Sequence, residues 1–351
     1  MPERIRKFLV FEGYNMNRTQ ADIQQTIEIK ELFSSLDSAT VLVTGATGLV
    51  GSMLVKTIHA AVKKYDLRIK IIGHVRNLEK AKIVYGDLFE EIEFVKDMNV
   101  PCEYIIHTVS PTTSKFFIEH PVETIKASVE STMEILEVAK KNNAVIVYLS
   151  SMEEYGVPYE SGQKMTEDKI GIIDHLNIRS SYSESKRLCE CLCASYAAEY
   201  GVDVKIARLA QTFGAGVPIT DNRMPMQFAR AVVEGSDIVL HTEGKSISNF
   251  VYLSDAITGI LTILERGEKG QAYNVCNDTE TRSVREIAEL VAEEVANGAV
   301  NVVIEKKENM GYAPDVVMYL NSEKLRSLGW KADISMAESY RRLTTYLKGE
   351  L

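Results

Sequence analysis

Hydrophobic and polar positions along this chain follow two alternating periods. Val41-Leu42-Val43 is an apolar, β-branched run, the pattern of a strand covered on both faces. It breaks at Gly45 and passes into Val50, Leu54 and Ile58, spaced i, i+4, i+8, which predicts a helix over about 49–64. Further strands are predicted at 68–76, near Ile83–Tyr85 with Gly86-Asp87-Leu88 as its exit turn, at 104–109 and at 144–149. Ser110-Pro111 stops the strand at 104–109, and Pro121 opens a helix carrying Ile125, Val129, Met133 and Leu136 on one face. This β-α-β-α alternation predicts an α/β fold with a doubly wound parallel sheet and a ligand across the carboxyl ends of its strands.

The two flanks read differently. Residues 1–38 form an N-terminal extension in which Ile23, Ile27 and Phe33 suggest one amphipathic helix over 20–36. Beyond 212 the pattern loosens. Gly214, Gly216, Pro218 and Pro225 mark a loop before a helix near 225–235, and strands follow at 249–253 and 272–275. Ser283 with Glu286 is a capping box for a helix through Val295, and Ser322 is read as the cap of a helix ending at Leu328-Gly329. The expected organisation is a dinucleotide-binding domain over 39–212 and a smaller mixed α/β substrate-binding lobe over 213–351. No linker-like stretch separates them, so they should interleave.

Composition narrows the function. A net charge of −9 with no basic stripe argues against nucleic-acid binding. No apolar run approaches the roughly 18 residues of a membrane span, and the N-terminus carries no secretory-type apolar stretch. Five cysteines, an odd number in a 351-residue chain, fit a reducing cytoplasm better than a disulfide framework. Cys189, Cys191 and Cys193 look like a metal cluster, but on a helix Cys191 points away from the other two. No metal site is expected.

Two stretches carry chemistry. Gly45, Gly48 and Gly51 form a G-x-x-G-x-x-G turn between strand and helix. Gly45 permits the tight turn, Gly48 lets backbone approach a pyrophosphate, and Gly51 lets helix and strand pack closely. With Thr47, Leu49 and Val50 at the helix start, the turn offers free N–H groups to phosphates. Tyr182 and Lys186 lie one helical turn apart on one face. A free phenol, with a pKa of about 10, is a poor base at neutral pH, and a neighbouring ammonium favours the phenolate. Ser151, at the end of the fifth predicted strand, can hydrogen-bond the oxygen being oxidised.

Together Gly45–Gly51, Ser151, Tyr182 and Lys186 resemble the extended short-chain dehydrogenase/reductase family, whose members act on nucleotide-activated sugars and share a Rossmann sheet. The similarity runs from about residue 40 to 347. Within that family the pattern most resembles UDP-glucuronate decarboxylases, through His107–Pro111, Pro121–Lys126, Ser181–Glu190, Thr212-Phe213-Gly214, Val251–Asp255 and Leu328-Gly329-Trp330. The resemblance implies Tyr182 as the base, Lys186 as the residue that holds the ribose and tunes the phenol, and Ser151 as the sugar-orienting hydroxyl. Glu153 matches a second acid/base, with a cap of the turn or a pair with Arg179 as its other reading. Substrate contacts fall on Ser110, Ser151, Gln211, Arg223 and Asn249, and a homodimer through helices at about 122–141 and 182–200 is implied.

Some positions depart from that pattern. Met152 stands where dehydratases carry an aspartic acid, and a thioether cannot donate a proton. Gly216 replaces an arginine of the decarboxylases, leaving Arg223 for a carboxylate contact. Asn249 replaces an arginine that grips the diphosphate, and Gln211 replaces an asparagine. For the cofactor, Arg76 after the second strand could pair with a 2′-phosphate, or be a solvated strand end. Asp87 and Leu88 are expected beside the adenine. The cofactor is therefore NAD or NADP, with the resemblance slightly favouring NAD. Two other functions stay open: an NADPH-dependent reductase of a keto sugar or other carbonyl compound, and a cofactor-binding sensor that would not need Ser151, Tyr182 and Lys186.

Overall fold

The computed structural model describes residues 17–111, 114–306 and 315–349. The N-terminal residues read for a leader lie outside this range. In chain order the first half runs α1 (Arg18–Ile27), β1 (Thr40–Thr44), α2 (Leu49–Tyr65), β2 (Lys70–His74), α3 (Leu78–Tyr85), β3 (Glu93–Val95) and β4 (Tyr104–His107). It continues with α4 (Ser114–Glu119), α5 (Pro121–Asn142), β5 (Val145–Ser151), β6 (Lys164–Met165), α6 (Ser181–Tyr200), β7 (Asp203–Leu209) and β8 (Gln211–Phe213). The second half holds α7 (Met224–Glu234), β9 (Ile238–Leu240), β10 (Ile247–Tyr252), α8 (Leu253–Arg266), β11 (Ala272–Val275) and β12 (Asn277–Ser283). Last come α9 (Val284–Leu290), β13 (Val302–Ile304), β14 (Tyr319–Leu320), α10 (Glu323–Arg326) and α11 (Met336–Lys348).

Seven strands form the main sheet in the order β11-β7-β5-β4-β1-β2-β3, every pair parallel. One apolar layer, with Ile27, Leu54, Ile58, Ile257 and Ile260, packs α1, α2 and α8 on one face. The other, with Leu136, Ala139, Cys189 and Cys193, packs α5 and α6 on the opposite face. A separate core of Phe213, Phe228, Ile287, Val291 and Tyr340 joins α7, α9 and α11. β11 comes from after residue 212 yet lies at the edge of the main sheet, so the chain leaves that sheet and returns to it. Strand order reverses between β1 and β4. Their carboxyl ends therefore diverge into a crevice, the place where open α/β sheets bind ligands.

Three local expectations need correction. Ile83–Tyr85 belongs to α3, not to a strand. Asn77 caps this helix by accepting from Lys80 N, and Gly86, at φ +55°, ends it. The third strand is β3, ten residues further on, so Asp87 and Leu88 follow a helix rather than a sheet strand. The N-terminal helix is shorter than 20–36. It starts in a capping box between Asn17 and Gln20 and closes at Ile27, and Phe33 sits on a separate 3-10 turn, 30–33. Ser322 makes no side-chain cap, and its hydroxyl accepts from Arg326 instead. The Ser283–Glu286 capping box is present, with the last turn, 291–295, widened to a π-helix.

Candidate active site

The crevice is built from backbone outward. At the β1–α2 turn Gly45 adopts φ +67°, and a Cβ there would lie 2.7 Å from Thr108 Oγ1. A Cβ on Gly51 would lie 2.9 Å from the same oxygen and collide with the Gly45 carbonyl, so helix and strand touch only because both residues are glycine. Thr108 Oγ1 donates to the Thr44 carbonyl at 2.6 Å, and Thr44 Oγ1 meets His107 Nδ1 at 2.8 Å. Burial holds the His107 imidazole neutral, its pKa pushed down to about 3. These bonds weld β1 to β4 at the crevice. Gly48 is the N-cap of α2 and supplies no side-chain acceptor, so the amides at Leu49, Val50 and Gly51 start the helix without a side-chain cap. An exposed Gly48, uncapped amides and the helix dipole fit the phosphates of a dinucleotide.

On the other side of the crevice, α6 carries Tyr182 and Lys186. Ser110 follows β4, Ser151 ends β5, and Glu153 lies in the 3-10 turn 152–155 whose first amide bond is Glu153 N to Ser151 Oγ, 3.2 Å. Tyr182 stacks face to face on Phe117, with centroids 4.4 Å apart. Its phenol is pushed up by burial and by the charge of Glu153, while hydrogen bonds from Ser151 and Ser110 oppose that rise. Lys186 is buried, donates to the Leu149 carbonyl at 2.8 Å and to Tyr148 OH at 3.3 Å, and has its pKa lowered by burial to about 8. The Glu153 carboxyl is raised by burial, against the pull of the Arg179 charge and a hydrogen bond from Ser183. Ser110, Ser151, Glu153, Tyr182 and Lys186 thus converge, although they come from three segments of the chain.

Of the other residues expected at the site, Asn249 is committed to the fold. Asn249 is wholly buried and saturated: Nδ2 donates to Asn277 O and Thr281 Oγ1, and Oδ1 accepts from Leu320 N. It ties β10 to β12 and β14 and has no group left for a diphosphate. Arg223 is held by Asp221 at 2.9 Å, and Gln211 by Ser248 at 3.3 Å, both on the exposed surface. Arg76 is exposed just after β2. Asp87 and Leu88 follow α3 rather than a sheet strand, and they line the same cavity as Thr47, Gly48 and Leu49 of the turn. The residues that directly follow β3 are Lys96 and Asp97, whose backbone and charge act on His74 at the end of β2. The sequence reading missed them, although Asn77 and Gly86 were the helix signals that would have shifted the strand. Cys189 and Cys193 are buried and Cys191 is exposed, as helical spacing requires.

A model of the NAD dependent epimerase/dehydratase family matches residues 41–276, two thirds of the chain. The chain belongs to this family. The matched span of this epimerase/dehydratase family protein holds the glycine turn, Ser151, Tyr182 and Lys186, and the fold is an enzyme's. UDP-glucuronic acid decarboxylase 6 of Arabidopsis thaliana is 30% identical over 311 residues, covering 85% of each chain. Among solved structures, the UDP-glucose 4-epimerase of Thermotoga maritima shares the fold at TM-score 0.71 and 18% identity, covering 88% of this chain and 98% of that one. The dTDP-glucose 4,6-dehydratase of Bacillus anthracis, solved with NAD, shares it at TM-score 0.69 and 18% identity, with 89% and 97% covered. Among the described residues no helix is long and apolar enough to cross a membrane.

Proposed function

We propose that this family member modifies a nucleotide-activated sugar through a transient keto intermediate, with epimerisation or decarboxylation as the outcome. The observation that carries this reading is Glu153. A simple carbonyl reductase needs Ser151, Tyr182 and Lys186, whereas this site adds a buried carboxyl close enough to raise the Tyr182 phenol. The bound dinucleotide supplies the hydride acceptor and later the donor. Tyr182 takes the proton of the sugar hydroxyl, Ser151 hydrogen-bonds the same oxygen, and the Lys186 ammonium lowers the cost of the phenolate. Glu153 then moves a proton at the carbon beside the new ketone. Met152 has no proton to donate to a leaving hydroxyl, so elimination of water is disfavoured.

The cofactor of this reading is NAD, held by Gly45, Thr47, Gly48, Leu49, Val50 and Gly51. Asp97, two residues after β3, takes the adenosine end in place of Asp87 and Leu88. Arg76 is the residue that favours NADP, and a dissociation-constant comparison of NAD⁺ with NADP⁺ decides between them. Ser110 and Ser151 face the sugar. Val122, Ile125, Met133 and Leu188 are exposed on α5 and α6, which supports a homodimer through those helices. Five free cysteines support a reducing compartment such as the cytoplasm.

The test is incubation of purified protein with a panel of nucleotide sugars, including sugar acids, with catalytic NAD⁺ and with stoichiometric NADPH, followed by mass spectrometry. Product formed without net cofactor consumption is expected. Product formed only with consumption of NADPH would replace this reading with the reductase.

A further inference from the structure

The N-terminal helix α1 reaches the crevice through one buried carboxylate. Asp22 is fully buried and takes two guanidinium donors on Oδ1, from Arg18 at 2.7 Å and from Arg342 of α11 at 2.9 Å. Its Oδ2 accepts from Tyr252 OH at 2.6 Å, and that same hydroxyl accepts from the backbone amide of Ala215 at 3.3 Å. Tyr252 ends β10 and is itself buried, its ring 5.6 Å from the Arg342 guanidinium. The chain of bonds therefore runs from α1, through the end of β10, to the 214–216 loop.

That loop faces the phosphate turn. A Cβ on Gly216 would lie 3.9 Å from Leu49 Cδ1 and 4.0 Å from Thr19 on α1, so loop, turn and N-terminal helix meet within van der Waals reach. All three line one open cavity of about 700 Å³, with Thr19 and Gln20 of α1, Gly48 and Leu49 of the turn, and Ala215 and Gly216 of the loop on one side and residues of α2 and α3 on the other. Lys56 of α2 also lines it, half-buried, its pKa lowered by burial and its ammonium over the Tyr85 ring.

We propose that α1 is part of the ligand site. Asp22, acting through Tyr252, is a positioning residue that holds the 214–216 loop over the phosphate turn, so that the diphosphate of a bound dinucleotide and the seating of α1 support each other. This rests on the reading of Gly45–Gly51 as the dinucleotide turn. A coupled arrangement of this kind is reciprocal: loosening α1 weakens dinucleotide binding, and binding slows the opening of α1.

The experiment is titration of the full chain with NAD⁺ and NADP⁺ at 25 °C, comparing wild type with Asp22→Asn, Tyr252→Phe and the double variant. Tyr252→Phe keeps the ring in the core and removes only the hydroxyl. Each single variant is expected to bind its preferred dinucleotide at least about fivefold more weakly, the loss of roughly one hydrogen bond. The double variant should be no weaker than the worse single one, because both break the same chain of bonds. In parallel, hydrogen exchange of amides 18–27 should slow on adding NAD⁺ to wild type. Wild-type binding with variants within twofold of it, or α1 amides unmoved by saturating NAD⁺, overturns the inference alone. That second readout needs no variant to fold. Failure of wild type to bind either dinucleotide overturns the reading of the turn, and the inference with it.

Discussion

Lys186 Nζ lies 2.8 Å from the Leu149 carbonyl and 5.7 Å from the centre of the Tyr182 ring. The ammonium is thus fixed by β5 rather than by the phenol it serves, and its charge acts on Tyr182 at a set distance. Burial lowers the Lys186 pKa to about 8, so the ammonium is present at neutral pH and is lost as pH rises through that value. Lys186→Met should leave the Leu149 carbonyl unpaired and cost turnover roughly 10²-fold or more. It should also move the limb of the pH–rate profile that belongs to Tyr182 upward. Tyr182→Phe should lose roughly 10²–10⁴-fold while dinucleotide binding survives. Steady-state kinetics over pH together with a binding titration check both, and a Lys186→Met profile with an unmoved limb removes the lysine from the tuning of the phenol.

Glu153 makes the opposite contribution. Its negative charge raises the Tyr182 phenol, and burial raises its own carboxyl. Glu153→Gln removes that charge in nearly the same volume, so the Tyr182 limb should shift to lower pH by up to about one unit. Overall turnover should nevertheless fall, because the proton transfer at carbon loses its carriers. Assay in deuterated water separates the two effects. Wild type should place solvent deuterium on a product carbon, and the glutamine variant should not. Unchanged turnover with no deuterium in either product favours the carbonyl reductase.

How much of this was readable from the chain follows the range of each interaction. The β1–α2 turn needs only glycines three residues apart, and Tyr182 with Lys186 needs only a helix, so both were legible. The β3 position was misread because Ile83–Tyr85, a short apolar run, fits either period. The N-cap at Asn77 and the stop at Gly86 had more to say than hydrophobicity did. Asn249 stands at a matched family position, yet its partners lie 28, 32 and 71 residues away, and nothing local shows that they saturate it. The Asp22–Tyr252 bond spans 230 residues. The extension was legible only as an amphipathic helix, because its polar contact with the crevice is made wholly in three dimensions.

The glycines of the turn should separate fold from binding. Gly48 has φ −81°, and a Cβ there meets only the Gly45 carbonyl at 3.3 Å. Gly48→Ala should therefore keep the melting temperature within a few degrees and weaken dinucleotide binding, since the methyl group stands where backbone approaches phosphate. Gly51→Ala drives a methyl into the Gly45 carbonyl and Thr108, an overpacking that costs about 1–3 kcal/mol or more. Thermal melts and binding titrations on the two variants test this. Equal loss of stability in both would mean that Gly48 is a packing residue.

Glu154 and Glu190 share a single guanidinium, that of Arg208, at 3.2 and 2.7 Å. Arg208 also donates to Tyr155 OH at 2.8 Å and to the Glu167 carbonyl at 3.0 Å, which links β7 to the turn that carries Glu153. One cation cannot fully neutralise two buried carboxylates. Burial and the Glu190 charge push Glu154 up to about 7 from its ordinary 4.5. The folded chain therefore holds a proton that the unfolded chain has released between those two values. The sign follows: this contribution to stability is complete below pH 4.5 and is lost as pH rises through about 7. Glu154→Gln mimics the protonated form and keeps a donor and an acceptor in place. Relative to wild type it should be near neutral at low pH and more stable at about pH 8, by on the order of 1–3 kcal/mol. Urea unfolding of both proteins across that range gives the difference directly. A difference that does not change with pH would mean that Glu154 is ionised throughout, with Arg208 serving both carboxylates.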